Sequence, residues 1–111
     1  MVAGHDAGDL AVMAQKLSAK QAGNPGDGEG WALLARTYVQ LGRHQDAVPA
    51  FDKASALLPN DAQLLADYAD ALAMTGGKQF DPKAAELVDK ALKADPNNHK
   101  ALLLAGTVAF D

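Results

Sequence analysis

A pattern of large and small apolar residues between positions 31 and 59 constrains the fold of this chain more than any other feature. Its members are Trp31, Leu34, Ala35, Tyr38, Ala47, Phe51, Ala54 and Pro59. Intervals of three and four residues in each half place the apolar side chains on one face of a helix. Gly42 lies between the halves and allows a tight turn. The pattern therefore predicts two helices folded against each other.

The same pattern recurs along the chain, with an offset of 34 residues at most of its positions. Trp31, Leu34 and Tyr38 are matched 34 residues later by Leu65, Tyr68 and Leu72. The second-helix positions recur upstream as Met13, Leu17 and Pro25, and downstream as Ala84, Val88, Ala91 and Pro96. A period of 34 residues with these positions is that of a tetratricopeptide repeat, whose units are helical hairpins that stack side by side. We therefore predict an all-α solenoid of about six helices.

The repeat positions divide the chain into segments. We predict a disordered tail at 1–8, the second helix of a preceding repeat at 9–22, a complete repeat at 28–61, a second repeat at 62–98, and the first helix of a further repeat at 99–111. The second repeat carries a three-residue insertion between Leu72 and Ala84, because its later positions are offset by 37 residues. Predicted helix caps are Asn60 or Asp61, Asp81, and Asn97 or Asn98, with Pro82 in the first helical position.

The last predicted helix is apolar on almost every face, from Ala101 to Phe110. Terminal units of a solenoid normally carry a polar outer face. No partner helix covers this one in the chain, so we expect it to fray or to mediate self-association.

Charge and composition argue against several classes of function. The formal net charge is −4, from 10 basic and 14 acidic residues that form no run, which argues against binding nucleic acid or anionic membranes. Cysteine is absent and the three histidines are far apart, so no metal site or cofactor is predicted. Asp67 and Asp70 lie one helical turn apart, but no nucleophile or phosphate-binding loop accompanies them. We predict no enzymatic activity.

One set of repeat residues is predicted to be structural, filling the space between helices or ending them. The set is Trp31, Leu34, Tyr38, Ala47, Phe51, Ala54, Pro59, Tyr68, Ala84, Ala91 and Pro96. Replacing Trp31 with alanine is expected to cost about 3–5 kcal/mol through lost packing.

The remaining faces of the first helices are predicted to line a peptide-binding groove. The candidate residues are Leu33, Arg36, Val39, Gln40, Asp67, Asp70, Met74, Lys100, Leu103, Leu104 and Thr107. Leu33, Met74, Leu103 and Leu104 would form its apolar floor, and Ala32 and Ala66 fall on the same exposed face. This mixture suits an amphipathic helix, although the charges could equally be solvated faces with no ligand. If Asp67 and Asp70 face the groove, replacing both with lysine lowers peptide affinity without lowering stability.

Beyond the repeat itself, three segments resemble a known family. They are NPGDGEGWALLARTYVQLGRHQDAVPAFDKA (24–54), LLADYADALAMTGG (64–77) and ELVDKALKADPNNHKALLLAGTVAF (86–110). In this order they resemble the periplasmic tetratricopeptide domain of cytochrome c-type biogenesis proteins of the CcmI or CycH kind, with a nitrite-reductase maturation factor as a close relative.

The resemblance implies a chaperone-like function. Such a domain would hold an apocytochrome c by its carboxy-terminal helix and present it to the haem-attachment machinery. It would be periplasmic and would contact the membrane only through anchoring segments that are absent from this chain. The alternatives are a general scaffold for the assembly of another complex, and a cytoplasmic location.

Overall fold

The described residues form six helices and no strand. The computed structural model describes residues 7–76 and 82–109, with side chains for 8–76 and 82–106. The helices are α1 (Ala7–Gly23), α2 (Gly28–Gln40), α3 (His44–Leu57), α4 (Ala62–Thr75), α5 (Pro82–Ala94) and α6 (His99–Ala109). The predicted all-α helical-hairpin fold is confirmed.

Three of the helices begin at a residue whose side chain caps the first turn. Asp27, Asp61 and Asn98 each accept a hydrogen bond from the backbone N–H three residues later, at 2.9–3.1 Å. Such caps satisfy amide groups that have no partner inside the helix. Of the caps expected from the sequence, Asp61 and Asn98 are confirmed, and Asp81 lies outside the described residues. Pro82 is the first residue of α5, as predicted.

The turn between α2 and α3 depends on Gly42. This residue has a φ of +76°, in the left-handed region that residues with a Cβ seldom adopt. The Gly42 N–H donates to the Val39 carbonyl at 2.9 Å, and the Arg43 N–H donates to the Tyr38 carbonyl at 2.8 Å. This pair of hydrogen bonds ends α2 in a Schellman motif. The predicted role of Gly42 in the turn is confirmed.

Each helix from α2 to α6 packs against its neighbours in the chain. Most of the predicted structural residues lie in the core between them. α2 packs on α3 and α4 on α5, while α3–α4 and α5–α6 contacts join successive hairpins. The buried members of the structural set are Leu34, Ala47, Phe51, Ala54, Tyr68, Ala84 and Ala91. Trp31 and Tyr38 are half-buried, and Pro59 and Pro96 are exposed in the turns after α3 and α5. Small residues therefore lie where the helices approach closely, and the Phe51 and Tyr68 rings fill the space left between repeats.

Ala32 and Ala66 differ from the expectation that they lie on an exposed face. Both are buried, with 1% and 0% of their surface accessible. The reason is that a first helix inside a stack contacts helices on more than one side: α2 packs against α1 as well as α3, and α4 packs against α3, α5 and α6. The surface of each first helix that remains accessible to a ligand is therefore narrower than it would be in an isolated hairpin.

The segment boundaries differ from the predicted ones at several points. α1 begins at Ala7, two residues before the expected start, and residues 1–6 lie outside the described part of the chain. The insertion after α4 falls largely in residues 77–81, which are also outside it, as are the last two residues of the predicted 99–111 helix. α3 runs from His44 through Pro49 to Leu57 without a break.

Candidate functional site

A cavity that is open to solvent lies between the first helices, where a peptide groove is expected. Its volume is about 250 Å³. It is lined by Arg36, Val39, Gln40, His44, Phe51, Asp67, Asp70, Ala71 and Lys100. Six of these residues belong to the predicted groove. The structure therefore brings together side chains from α2, α4 and α6, with the start and middle of α3 beneath them.

The cavity combines an apolar floor with charged walls. Val39 on α2 and Ala71 on α4 line the bottom, over the fully buried ring of Phe51. Arg36 lies one helical turn before Val39 or Gln40, and Asp67 one turn before Ala71, so polar and apolar groups alternate along the same helix faces.

Asp67 holds three helices together at the wall of the cavity. Its carboxylate accepts hydrogen bonds from Arg36 Nε of α2 at 3.1 Å, from Lys100 Nζ of α6 at 2.9 Å, and from Gln63 Nε2 one turn earlier in α4 at 2.9 Å. Only 14% of its side chain is exposed. Asp67 therefore faces the cavity and also acts as a structural link, so we expect its replacement to lower stability as well as peptide affinity.

The network continues from Asp67 to the start of α6. Gln63 Oε1 accepts a hydrogen bond from Asn98 Nδ2 at 3.1 Å, while Asn98 Oδ1 caps α6 through the Ala101 N–H at 2.9 Å. Asn98 is buried, so both ends of its amide are satisfied within the protein. The position of α6 beside α4 is thus set by hydrogen bonds as well as by packing.

Lys100 joins both aspartates of the predicted groove. Its Nζ lies 2.9 Å from Asp67 Oδ1 and 3.1 Å from Asp70 Oδ2. Partial burial of Lys100 lowers its pKa, but the hydrogen bonds and negative charges of Asp67 and Asp70 outweigh burial and raise the pKa above its ordinary value. The ammonium group therefore stays charged and fixed at this wall.

The predicted apolar floor of leucine and methionine side chains is not the observed one. Leu33 and Leu103 are 47% and 60% exposed outside the cavity, and Leu104 packs against the core. Met74, 60% exposed, lies beyond it, beside Arg43 and the α2–α3 turn. The lining residues span 36–40 of α2 and 67–71 of α4, so Leu33 and Met74, each three residues outside these stretches, do not reach the cavity. The side chain of Thr107 is not among those described.

Three lining residues were not predicted as part of the groove. His44 is the first residue of α3 and reaches the cavity because the Gly42 turn places it beside α2. Phe51 was expected as a structural residue, and its ring also underlies the cavity. Ala71 follows Asp70 on the groove-facing part of α4. Of these three residues, only Phe51 could be recognised from the sequence, as the large apolar residue of the second helix of its repeat.

Signatures of other site classes are absent from the described residues. Within 7–76 and 82–109, no three histidine, cysteine or acidic side chains converge as a metal site requires. No helix in the same ranges is both long enough and apolar enough to cross a membrane.

Sequence comparison matches almost the whole chain to one family. The tetratricopeptide domain of cytochrome c-type biogenesis protein H matches residues 4–111. The chain is 35% identical over 102 residues to cytochrome c-type biogenesis protein CycH of Pseudomonas aeruginosa, covering 92% of this chain and 25% of that protein. It is 37% identical over 93 residues to CycH of Rhizobium meliloti, covering 84% and 24%.

A nitrite reductase protein is also similar. The formate-dependent nitrite reductase complex subunit NrfG of Escherichia coli O157:H7 is 31% identical over 96 residues, covering 86% of this chain and 48% of the subunit. The chain thus spans about a quarter of the length of the CycH relatives and about half that of NrfG.

Proposed function

Because the chain belongs to the tetratricopeptide family of cytochrome c-type biogenesis protein H, we propose that it binds an apocytochrome c by its carboxy-terminal helix and holds it for the haem-attachment machinery. Family membership supports a role in cytochrome c-type biogenesis. One structural observation supports the proposed mode of binding. That observation is the open cavity between α2, α4 and α6, with its apolar floor and charged walls.

The chemistry of the cavity suits an amphipathic helix. A helical ligand presents an apolar stripe bordered by polar residues, and the floor at Val39 and Ala71 is bordered in the same way by Arg36 and Asp70. The walls are held in place by the Asp67 network before any ligand arrives, so little conformational entropy is lost there on binding. We propose that the domain acts as a binding module without catalytic activity of its own.

The setting proposed for this domain is the periplasm, as one part of a longer membrane-anchored protein. The chain spans about a quarter of the length of its CycH relatives, which leaves room for such segments elsewhere in the protein. Cytochrome c-type biogenesis is the process in the names of those relatives, and we propose the haem-attachment machinery as the second partner.

A second candidate function is a scaffold in the assembly of another complex. The similarity to a formate-dependent nitrite reductase complex subunit favours it. The two functions predict different ligands for the same groove. Pull-down of the full-length protein from its source organism, followed by identification of the bound chains, separates them: apocytochromes c support the first function, and subunits of another complex support the second.

The proposed function is tested by titrating the domain with a synthetic peptide that spans the carboxy-terminal helix of a c-type cytochrome from the same organism. Isothermal titration calorimetry should show saturable binding with a micromolar dissociation constant. Val39→Asp should weaken binding at least about tenfold, because it places a charge on the apolar floor. Val12→Asp is the control, since Val12 is 50% exposed on α1, away from the cavity. Absence of binding at about 1 mM peptide would refute the proposal.

A further inference from the structure

We infer that the cavity between α2, α4 and α6 is a directional anchor pocket, which takes one large apolar side chain of the bound helix between a ligand carboxylate at Arg36 and a ligand cation at Asp70. The inference rests on the proposed function, in that a helix is bound in the groove. It goes further in specifying which side chains that helix carries and in which order.

The size and floor of the cavity select the anchor. A dry apolar cavity of about 150 Å³ is enough to admit benzene. This one has a volume of about 250 Å³, with Val39, Ala71 and the ring of Phe51 at its base. A phenylalanine, leucine or methionine side chain therefore fits, and burying one such side chain is the largest single contribution that the site offers a ligand.

Arg36 supplies the donor wall. Its Nε donates to Asp67 Oδ2 at 3.1 Å, and this bond holds the planar guanidinium in one orientation. Within the described part of the chain, neither terminal nitrogen of Arg36 has a hydrogen-bond partner, and the side chain is 40% exposed. A guanidinium whose outer edge is free matches a carboxylate. The carboxylate can come from an acidic side chain of the ligand or from its carboxyl terminus.

Asp70, on the neighbouring first helix α4, supplies the acceptor. Its Oδ2 binds Lys100 at 3.1 Å, whereas its Oδ1 has no partner among the described residues, and the side chain is 40% exposed. By contrast, the Asp67 carboxylate is occupied at both oxygens and largely buried. Asp70 is therefore the carboxylate of this pair that can accept a lysine or arginine of the ligand.

The arrangement makes binding directional. Arg36 and Lys100 together balance Asp67 and Asp70, so the site attracts neither sign of ligand charge overall. The free donor lies on α2 and the free acceptor on α4, however, and a ligand helix inserted in the reverse direction brings like charges together at both residues. The charged pair thus fixes orientation, while the apolar anchor supplies affinity.

Selection from a displayed library of helical peptides, with the exposed positions randomised and the intact domain as bait, tests the inference. We expect the recovered peptides to share a large apolar residue with an acidic residue one helical turn to one side and a basic residue one turn to the other, in the same order along the chain in every binder. Recovery of no binders, or of binders without this charged pair, overturns the inference. Recovery of the pattern while the apocytochrome peptide fails to bind overturns only the proposed function.

A double-mutant cycle on the strongest recovered peptide tests the role of Arg36 directly. Arg36→Met should weaken binding about tenfold, and changing the acidic peptide residue to its amide should weaken binding to the unmodified domain about tenfold but to Arg36→Met less than about twofold. If amidation of the peptide carboxyl terminus has this coupled effect instead, the terminal carboxylate is the source. Asp70→Asn should couple in the same way to the basic peptide residue.

Arg43→Met is the matched control, because Arg43 lies on the exposed α2–α3 turn outside the cavity and pairs with Asp46 at 2.7 Å. Its affinity for the peptide should change by less than about twofold. Equal losses in Arg36→Met and Arg43→Met, or additive effects in the cycles, contradict the inference.

Discussion

Asp67 and Asp70 are the same residue type one helical turn apart, yet the tertiary structure gives them different roles. The Asp67 side chain is 14% exposed and contacts Arg36, Gln63 and Lys100, whereas Asp70 is 40% exposed and contacts Lys100. Hydrogen bonds to a largely buried carboxylate contribute more to stability than an exposed ion pair, because removing the carboxylate leaves several donors without a partner.

Asp67→Ala should therefore lower the free energy of unfolding by about 1–3 kcal/mol, and Asp70→Ala by less than about 1 kcal/mol, because Lys100 keeps Asp67 as a partner. Urea denaturation followed by circular dichroism measures both. Each variant is the control for the other, because both replace an aspartate of α4 with alanine and so gain the same helix propensity. Equal losses in the two variants would contradict the structural role assigned to Asp67.

Lys100 makes stability depend on pH at the alkaline end. Its pKa is raised above the ordinary value of 10.5, since the bonds and charges of Asp67 and Asp70 outweigh the effect of burial, which lowers it. The folded state thus binds the proton more tightly than the unfolded state. The contribution of Lys100 to stability is complete below pH 10.5 and is lost as the pH rises through the folded pKa.

Between about pH 10 and pH 12, the wild-type domain should consequently lose more stability than Lys100→Met, which cannot titrate there. Urea denaturation at a series of pH values gives the two curves. All other ionisable groups are common to both proteins, so the difference between the curves isolates Lys100. Parallel curves over this range would exclude the ion pairs as a source of pH dependence.

At the scale of elements, α3 contains a local conflict. Pro49 is the sixth residue of this helix, where it lacks the N–H that would donate to the carbonyl one turn earlier. A late start of the helix would avoid this loss, but α3 begins at His44. Packing of the buried Ala47, Phe51 and Ala54 against the neighbouring helices therefore outweighs the missing hydrogen bond.

Pro49→Ala should raise the free energy of unfolding by about 1–3 kcal/mol, because it restores the ladder and removes the clash of the ring with the preceding turn. Pro49 is exposed, so no core contact is lost. Thermal and urea denaturation measure the effect. Gln45→Ala, at an exposed position in the first turn of α3, is the control and should change stability by less than about 0.5 kcal/mol. A destabilised Pro49→Ala protein would mean that the proline shapes the helix favourably.

At the scale of the whole molecule, a pair of aromatic rings joins the complete repeat to the next. Phe51 of α3 and Tyr68 of α4 stack with their centroids 5.8 Å apart and their planes 11° from parallel. The Tyr68 hydroxyl donates to Asp52 Oδ1 at 3.0 Å, so the buried ring keeps its polar group satisfied. Trp31 is only half-buried, with its Nε1 donating to the Pro25 carbonyl at 3.0 Å.

Phe51→Ala should accordingly cost about 3–5 kcal/mol, and Trp31→Ala clearly less. This reverses the emphasis of the sequence pattern, in which Trp31 is the most prominent residue. Equilibrium unfolding followed by circular dichroism compares the two variants with the wild-type domain. A larger loss for Trp31→Ala would contradict this ranking.

Much of the fold follows from the sequence, because it depends on residues close together in the chain. Intervals of three and four residues determine which side chains share a helix face, and the conformational freedom of glycine determines where Gly42 allows a turn. Caps such as Asp61 and Asn98 act within three residues. The same local rules predicted six of the residues that line the cavity, since all six lie on the groove-facing sides of first helices.

The site itself was decided by tertiary structure. Asp67 meets Arg36 and Lys100 across separations of 31 and 33 residues, and no local rule says which of two aspartates one turn apart will be buried. The burial of Gln21 could not be predicted from the sequence either. Its side-chain amide packs against Gly30, so close that a Cβ on residue 30 would collide with it. Periodicity specifies the faces of each helix by itself. How closely the helices approach, and therefore which faces are covered and which polar groups meet, depends on the packing of all of them together.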